Sequence, residues 1–354
     1  MLGAVTTRFA RDGRTPAELV HEATVAALAA AGCDARDVAA VFVGCHGSGA
    51  TPAGDPLSVR VGLRRADLGR DAGRRAEHVS RSGARALHLA WRAVDSGEHD
   101  LVVCAGAERA GEPVDGEERT AMAGRAEAAR AYLAASGAGV DHLARAAVKN
   151  HRHGARNPAV PRVAEVLLQA VLDSDPVAWP LTRMMVAPRT AGAAAVVLGS
   201  RRASRGGSRV RASVLAGDEN GDAHDERAAQ LAYWAAGVGP EDLDCAEVHD
   251  DTAASELAAY ETLQLAPPGQ GPELIESGFT ALGGVLPVNT SGGLLSLGEL
   301  DGVSAIAQVC ELHAQLTGMA GARQVPGARI ALAHNRGPAH DGGGLAAVTV
   351  IEAP

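Results

Sequence analysis

The chain has 354 residues and a formal net charge of −9, with hydrophobic residues at 46% and charged ones at 21%, the composition of a globular chain and not of a disordered one. Acidic and basic side chains are mixed along it, so no basic stripe is dense enough to neutralise a phosphate backbone, and no apolar run approaches the length of a membrane span; nucleic acid and membrane are not expected as partners. Five scattered cysteines (Cys33, Cys45, Cys104, Cys245 and Cys310) without a CxxC spacing argue against a zinc ribbon or a disulfide framework and fit a reducing, cytoplasmic setting.

Apolar strands and amphipathic helices alternate from the start. Residues 15–31 read as a helix, with Thr15 as N-cap, Pro16 at the first helical position and Gly32 as the stop. A buried strand is expected at 38–44. The basic cluster from Arg60 to Arg75, broken by Asp67 and Asp71, reads as a solvated face or as a meeting point for a phosphorylated cofactor. An extended stretch ends at Ser80, a helix follows at 82–96, and a strand at 101–105. Residues 117–148 read as helical. The stretch from there to about 188 is irregular, punctuated by Pro158, Pro161, Pro176, Pro180 and Pro188, and a strand follows at 193–198.

Past the polar segment SRRASRGGSR the pattern restarts. Strands are expected at 210–216, 245–249, 329–334 and 346–352, and helices at 225–237, 252–265 and 301–317. The order divides the chain into residues 1–204, with an inserted loop region at about 111–188, and residues 205–354. Each half has a Ser/Gly-rich turn leading to a helix, at Ser80 and at Ser291. This predicts a duplicated α/β unit with mixed sheets sandwiched between helices.

Ser80 stands at a strand-to-helix junction, where backbone N–H groups lack partners inside the helix; that is a natural seat for a nucleophile. Serine also caps helices for the same reason, so the position alone leaves both roles open. His249 stands at a strand end beside Asp250 and Asp251. His142, His151 and His153 lack the carboxylate or cysteine spacing that would complete a metal site, and no metal is expected. His334, His340 and Asp341 cluster near a glycine-rich stretch and offer a replacement acid or base.

Four segments, AVKNHRHGARNP, AEVHDDTAASELAAYETLQLAPPGQGPELIESG, LPVNTSGGLLSLGELDGVSAIAQV and GARQVPGARIALAHNRG, occur in the order and context in which the chain resembles the thiolase superfamily, specifically its sterol-carrier-protein type, from about residue 3 to residue 352. The resemblance implies a five-layered αβαβα fold, a homodimer, and an acyl thioester of CoA or of an acyl carrier protein as substrate, with no permanently bound cofactor. It also implies a small OB-fold, zinc-ribbon protein as a possible partner. It places Ser80 where condensing members carry the nucleophilic cysteine. Their His-Asp-Cys-Phe becomes His249-Asp250-Asp251-Thr252, and their Gly-His-Pro becomes Gly298-Glu299-Leu300. Asn289 and Ser291 match an active-site asparagine loop, and Gly337 falls in the loop, residues 335–344, that contributes backbone donors to an oxyanion hole.

These departures point away from Claisen chemistry. A serine hydroxyl titrates far above a thiol of about 8.5 and needs an adjacent base. An ionised Glu299 accepts hydrogen bonds only and repels the charge that a histidine there would stabilise. Three readings remain. An acyltransferase would load Ser80 and use His249 with Asp251 or Glu299 to pass the acyl group to an alcohol or amine. A non-catalytic subunit would serve the OB-fold partner. A retro-aldolase would cleave a β-hydroxyacyl-CoA, with His249 or Glu299 as proton acceptor.

Overall fold

Thr15, Pro16 and Gly32 bound the first helix as expected. Thr15 accepts from the Glu18 backbone N–H while Glu18 reaches back to the Thr15 N–H, and Gly32 closes the helix at φ +63°, the left-handed conformation that glycine adopts without a Cβ penalty. The computed structural model describes residues 1–45, 56–68, 76–80, 82–109, 117–161, 164–200, 206–217, 224–337 and 344–354.

The first part of the chain runs β1 (Gly3–Thr6), α1 (Pro16–Ala31), β2 (Ala40–Gly44), α2 (Pro56–Arg65), β3 (Ala76–Ser80), α3 (Gly83–Asp95), β4 (Leu101–Arg109), α4 (Glu117–Ser136), α5 (Val140–Gly154), α6 (Leu168–Leu172), β5 (Pro176–Ala178), β6 (Leu181–Thr182) and β7 (Ala191–Gly199). The second runs β8 (Arg209–Gly217), α7 (His224–Ala236), β9 (Cys245–Glu247), α8 (Ala253–Thr262), α9 (Gly271–Glu276), α10 (Gly293–Leu297), α11 (Ser304–Leu316), β10 (Ile330–Gly337) and β11 (Leu345–Glu352).

The expected mixed α/β sandwich is what the chain forms. One sheet has the order β1-β7-β4-β2-β3, with β2 parallel to both β3 and β4. The other has the order β8-β11-β10-β9, with β9 parallel to β10. Helix α1 covers the outer face of the first sheet, α3 and α11 lie between the sheets, and α7 covers the outer face of the second. Every residue of α11 except Ala314 is buried, so it is enclosed on all sides where a surface helix would bury one stripe, and its Gln308, Glu311 and Gln315 are hydrogen-bonded within that layer. Each buried Leu or Ile of this middle layer contributes about 1.5–3 kcal/mol relative to exposure.

The segment 117–148 is helical as expected, but it is not continuous. It is two helices, α4 and α5, broken by Gly137 at φ +70° and by Gly139, the residue before α5. The alanine-rich periodicity ran through a Ser-Gly-Ala-Gly breaker. The irregular stretch that follows holds the end of α5, α6 and the two short strands β5 and β6. The boundary expected at 204/205 and the loop centred on His340 and Asp341 lie outside the described residues, as does Arg81. No helix among the described residues is long and apolar enough to cross a membrane.

Candidate active site

Parallel strands deliver their carboxyl ends to one edge, where ligands of α/β folds usually sit. Ser80 ends β3, Gly44 ends β2 beside it, and Asn335 and Arg336 lie at the end of β10. The chain leaves β9 at Glu247 and reaches His249 two residues later.

The four residues after β9 divide between scaffold and cavity. Asp250 points inward, fully buried, and accepts N–H bonds from Leu294 at 2.6 Å and Leu295 at 3.3 Å and from the Asn150 side chain at 2.7 Å; it ties α10 and α5 to the strand end. Thr252 caps α8 by accepting from the Ser255 N–H. His249 and Asp251 face a cavity of about 720 Å³, together with Thr252, Glu299, Arg336 and Gly337. Small side chains of α4 and α8, among them Ala121, Gly124, Ala128, Ala254 and Ala258, form its apolar wall.

Glu299 is held there by close glycine packing. Gly302 lies so tightly on Gly44, Gly83 and Gly106 that a methyl group at any of the three would meet its carbonyl oxygen. The Gly302 N–H donates to the buried Glu108 carboxylate at 2.9 Å, and the Gly83 N–H donates to the Asp301 carbonyl at 2.8 Å. The loop carrying Glu299 is thereby fixed against the strand ends of the first sheet.

Arg125, from α4, bridges the two acids. Its Nε donates to Asp251 Oδ2 at 2.5 Å and its Nη2 donates to Glu299 Oε2. The Ser255 hydroxyl donates to the other Asp251 oxygen at 2.5 Å. His249 Nε2 lies 3.5 Å from Glu299 Oε1, and Asn335 Nδ2 lies 3.4 Å from His249 Nδ1. His249, Asp251 and Glu299 offer ligand atoms within 4.8 Å of one another, and Arg125 bridges the two carboxylates of this group.

The electrostatics follow from this geometry. Burial alone would lower the His249 pKa, but the Glu299 hydrogen bond and the charges of Asp251 and Glu299 outweigh it and leave His249 above its usual value. Burial would raise Asp251, yet His249 and Arg125 hold its carboxyl below the usual carboxylate range. A repulsive Glu299 was the expectation; the arginine beside it changes that reading. Two acids at adjacent catalytic positions require a compensating cation, and that requirement is the signal that should have directed the sequence reading to α4.

Ser80 is 9% exposed, its hydroxyl has no hydrogen-bond partner among the described residues, and it is not among the residues lining the cavity. Asn289 holds φ +54° and its Oδ1 accepts from the Val248 N–H at 2.8 Å, while its Nδ2 has no partner. The Ser291 hydroxyl lies 2.5 Å from Glu247 Oε2 and its N–H donates to Glu247 Oε1, so its polar groups are engaged below the cavity. His153 uses both ring nitrogens, on the Asn289 carbonyl and the Leu282 N–H, and His151 bonds the Met184 carbonyl. The structure thus brings His249, Asp251, Glu299 and Gly337 together, adds Arg125 and Arg336, and leaves Ser80, Asn289 and Ser291 outside the cavity lining.

The family models described as thiolase, N-terminal domain, and thiolase C-terminal domain-like match residues 2–130 and 221–351. An acetyl-CoA acetyltransferase of Methanothermobacter thermautotrophicus is 32% identical over 94% of this chain and 94% of its own length. Sterol carrier protein 2 of Rattus norvegicus is 36% identical over 63% of this chain, and the match spans 43% of the rat protein's length. Among solved structures, that of the Ltp2-ChsH2(DUF35) aldolase superposes with a TM-score of 0.81 at 21% identity, over 99% of this chain and 97% of that one.

Proposed function

The chain belongs to the thiolase family, and from that premise we propose that it is a CoA-thioester enzyme that cleaves a β-hydroxyacyl-CoA by retro-aldol chemistry. The carrying observation is the His249–Glu299 contact of 3.5 Å at the wall of an open cavity. Acyl transfer asks for a Ser80 hydroxyl bonded to its base, and among the described residues that hydroxyl has no partner.

In this reaction Glu299 takes the proton of the β-hydroxyl. The electrons of the O–H bond form the new carbonyl, the bond between Cα and Cβ breaks, and its electron pair passes to the thioester as an enolate. His249, which keeps its proton above the usual imidazole range, sits beside that developing charge and returns a proton to Cα. The proton gained by Glu299 then passes to His249 across their contact. The products are a shortened acyl-CoA and an aldehyde or ketone. Arg125 bridges Glu299 and Asp251 and keeps both carboxylates in place.

A second reading keeps Ser80 as an acyl carrier, because its buried hydroxyl without a partner ends β3 where the family places its nucleophile. One experiment separates the two. The protein is incubated with β-hydroxyacyl-CoA thioesters of graded length, and shortened acyl-CoA is followed by liquid chromatography with mass detection; intact-protein mass is read in the same samples. Shortened acyl-CoA that disappears in Glu299→Gln supports cleavage. An acyl adduct absent from Ser80→Ala, without cleavage, favours acyl transfer and sinks the aldol reading.

The aldolase that superposes on this chain has a name joining Ltp2 to a second protein, ChsH2, which supports adding a small OB-fold, zinc-ribbon partner to the assay. A homodimer is proposed on the edge of the first sheet: among the described residues β3 pairs only with β2, and it carries the 44% exposed Val79, the kind of edge that a second strand covers.

A further inference from the structure

The cavity holds a second arginine that this reaction does not use. Arg336, next to last in β10, lines the cavity with its side chain 46% exposed. Its Nε is fixed 3.1 Å from Asp225 Oδ2. Asp225 lies at the start of α7, is buried, and meets His334 Nε2 at 3.0 Å through its other oxygen. Burial would raise the Asp225 carboxyl, but the His334 hydrogen bond and the charges of His334 and Arg336 bring it to about 2. Asp225 is therefore ionised whenever the protein is folded near neutral pH.

A guanidinium presents five N–H donors in a rigid fork. Among the described residues Arg336 has no other hydrogen bond or ion pair, so its two Nη groups remain available at the cavity wall. An arginine that served only to brace the fold would be expected to spend those donors on backbone carbonyls. Arg125, the other arginine of the cavity, is already engaged by two carboxylates. Arg336 is thus anchored by one nitrogen and unspent at the other two, which suits bidentate capture of an incoming carboxylate.

The position decides which part of a thioester it meets. Arg336 lines the same cavity as His249 and follows Asn335, whose Nδ2 lies 3.4 Å from His249 Nδ1, so it stands at the reacting end of the cavity. The phosphates of CoA lie at the opposite end of the pantetheine arm. Resting on the thioester reading above, we propose that Arg336 selects acyl thioesters that carry a second carboxylate on the acyl portion. The small apolar side chains of α4 and α8 surround the carbon chain between the two groups.

The test uses acyl-CoAs that lack the β-hydroxyl, so that binding is read without turnover. Succinyl-CoA is paired with butyryl-CoA, and glutaryl-CoA with pentanoyl-CoA; each pair has equal chain length and differs by a carboxylate against a methyl group. Isothermal titration calorimetry at low ionic strength is run on the native protein and on Arg336→Gln and Arg336→Lys. The expected result is binding about tenfold or more tighter for the carboxylate member of a pair. That ratio falls to about one in Arg336→Gln and is partly kept in Arg336→Lys, which retains the charge without the fork. Equal affinities within both pairs, or a ratio that survives Arg336→Gln, overturn the proposal and leave the thioester reading standing. Binding of none of the four overturns both.

Discussion

Glu311 pairs with Arg323 and lies beside Glu247 in a sealed cluster at α11, while Asp251 and Glu299 share Arg125 at the cavity; the ingredients are similar and the outcomes differ. In the sealed cluster Arg323 donates to both oxygens of Glu311, at 3.1 and 2.7 Å. Thr290, Ser291 and Gln315 supply the remaining hydrogen bonds. Burial and the nearby Glu311 push Glu247 up to about 8, so one acid is neutral at pH 7 and the cluster balances. In the open cluster His249 and Arg125 hold Asp251 below the usual carboxylate range against the effect of burial, and Glu299 and Asp251 likewise raise His249 above its usual value. Crowded acids are thus met by a raised carboxyl in the sealed cluster, and by Arg125 with a raised imidazole at the cavity wall.

The largest test of this contrast is Arg323→Met. It strands a buried Glu311 carboxylate and should cost about 3–5 kcal/mol in urea unfolding, the usual result of removing one partner from a buried pair. A loss below about 1 kcal/mol would mean that the sealed cluster is not built as described.

Glu247→Gln probes the same cluster through pH. A carboxyl whose folded pKa is raised binds more protons folded than unfolded, so its contribution is complete below the unfolded value of about 4.3 and is lost as pH rises toward the folded value, here about 8. Native stability should therefore fall across that window by up to about 1.4 kcal/mol per pH unit from this group. The variant should flatten the slope while changing stability little at pH 5. An unchanged slope would place the proton elsewhere.

Arg125→Met addresses the open cluster, and the expected cost is smaller, about 1 kcal/mol or less, because the guanidinium is 28% exposed and screened by water. The effect should appear in chemistry instead, as a loss of shortened acyl-CoA of more than about tenfold. Equal stability losses for the Arg323 and Arg125 variants would erase the distinction between the two clusters.

Much of this was legible in residue order. Thr15 and Gly32 bound α1, the α/β alternation placed the main strands, and the motif positions located His249, Asp251 and Glu299, which do share one wall. Three kinds of information were not local. The break at Gly137 was masked by alanine periodicity on both sides. Arg125 lies 126 residues from Asp251 and 174 from Glu299, so no motif contains all three. The exposed partner of Asp225 was invisible because α7 and β10 meet only after the second sheet forms. Ser80 was placed at a strand end correctly, but whether its hydroxyl reaches His249 depends on two sheets packing, which periodicity does not encode.

The smallest effect on stability, and the most direct on mechanism, concerns the His249 proton. Because its folded pKa lies above the unfolded value of about 6.5, protonated His249 favours the fold below that pH, and the contribution is lost as pH rises through the higher folded value. An imidazole resonance assigned by NMR should show that raised midpoint. Glu299→Gln removes its hydrogen-bonded acceptor of charge and should move the midpoint down, and Asp251→Asn should move it the same way. Arg336→Gln removes an opposing charge and should move it up. The aldol mechanism needs His249 protonated and Glu299 ionised together, so cleavage should decline on the alkaline side with the midpoint that NMR reports. If Glu299→Gln leaves the titration where it was, the two groups do not share a proton, and His249 must act on the substrate without Glu299.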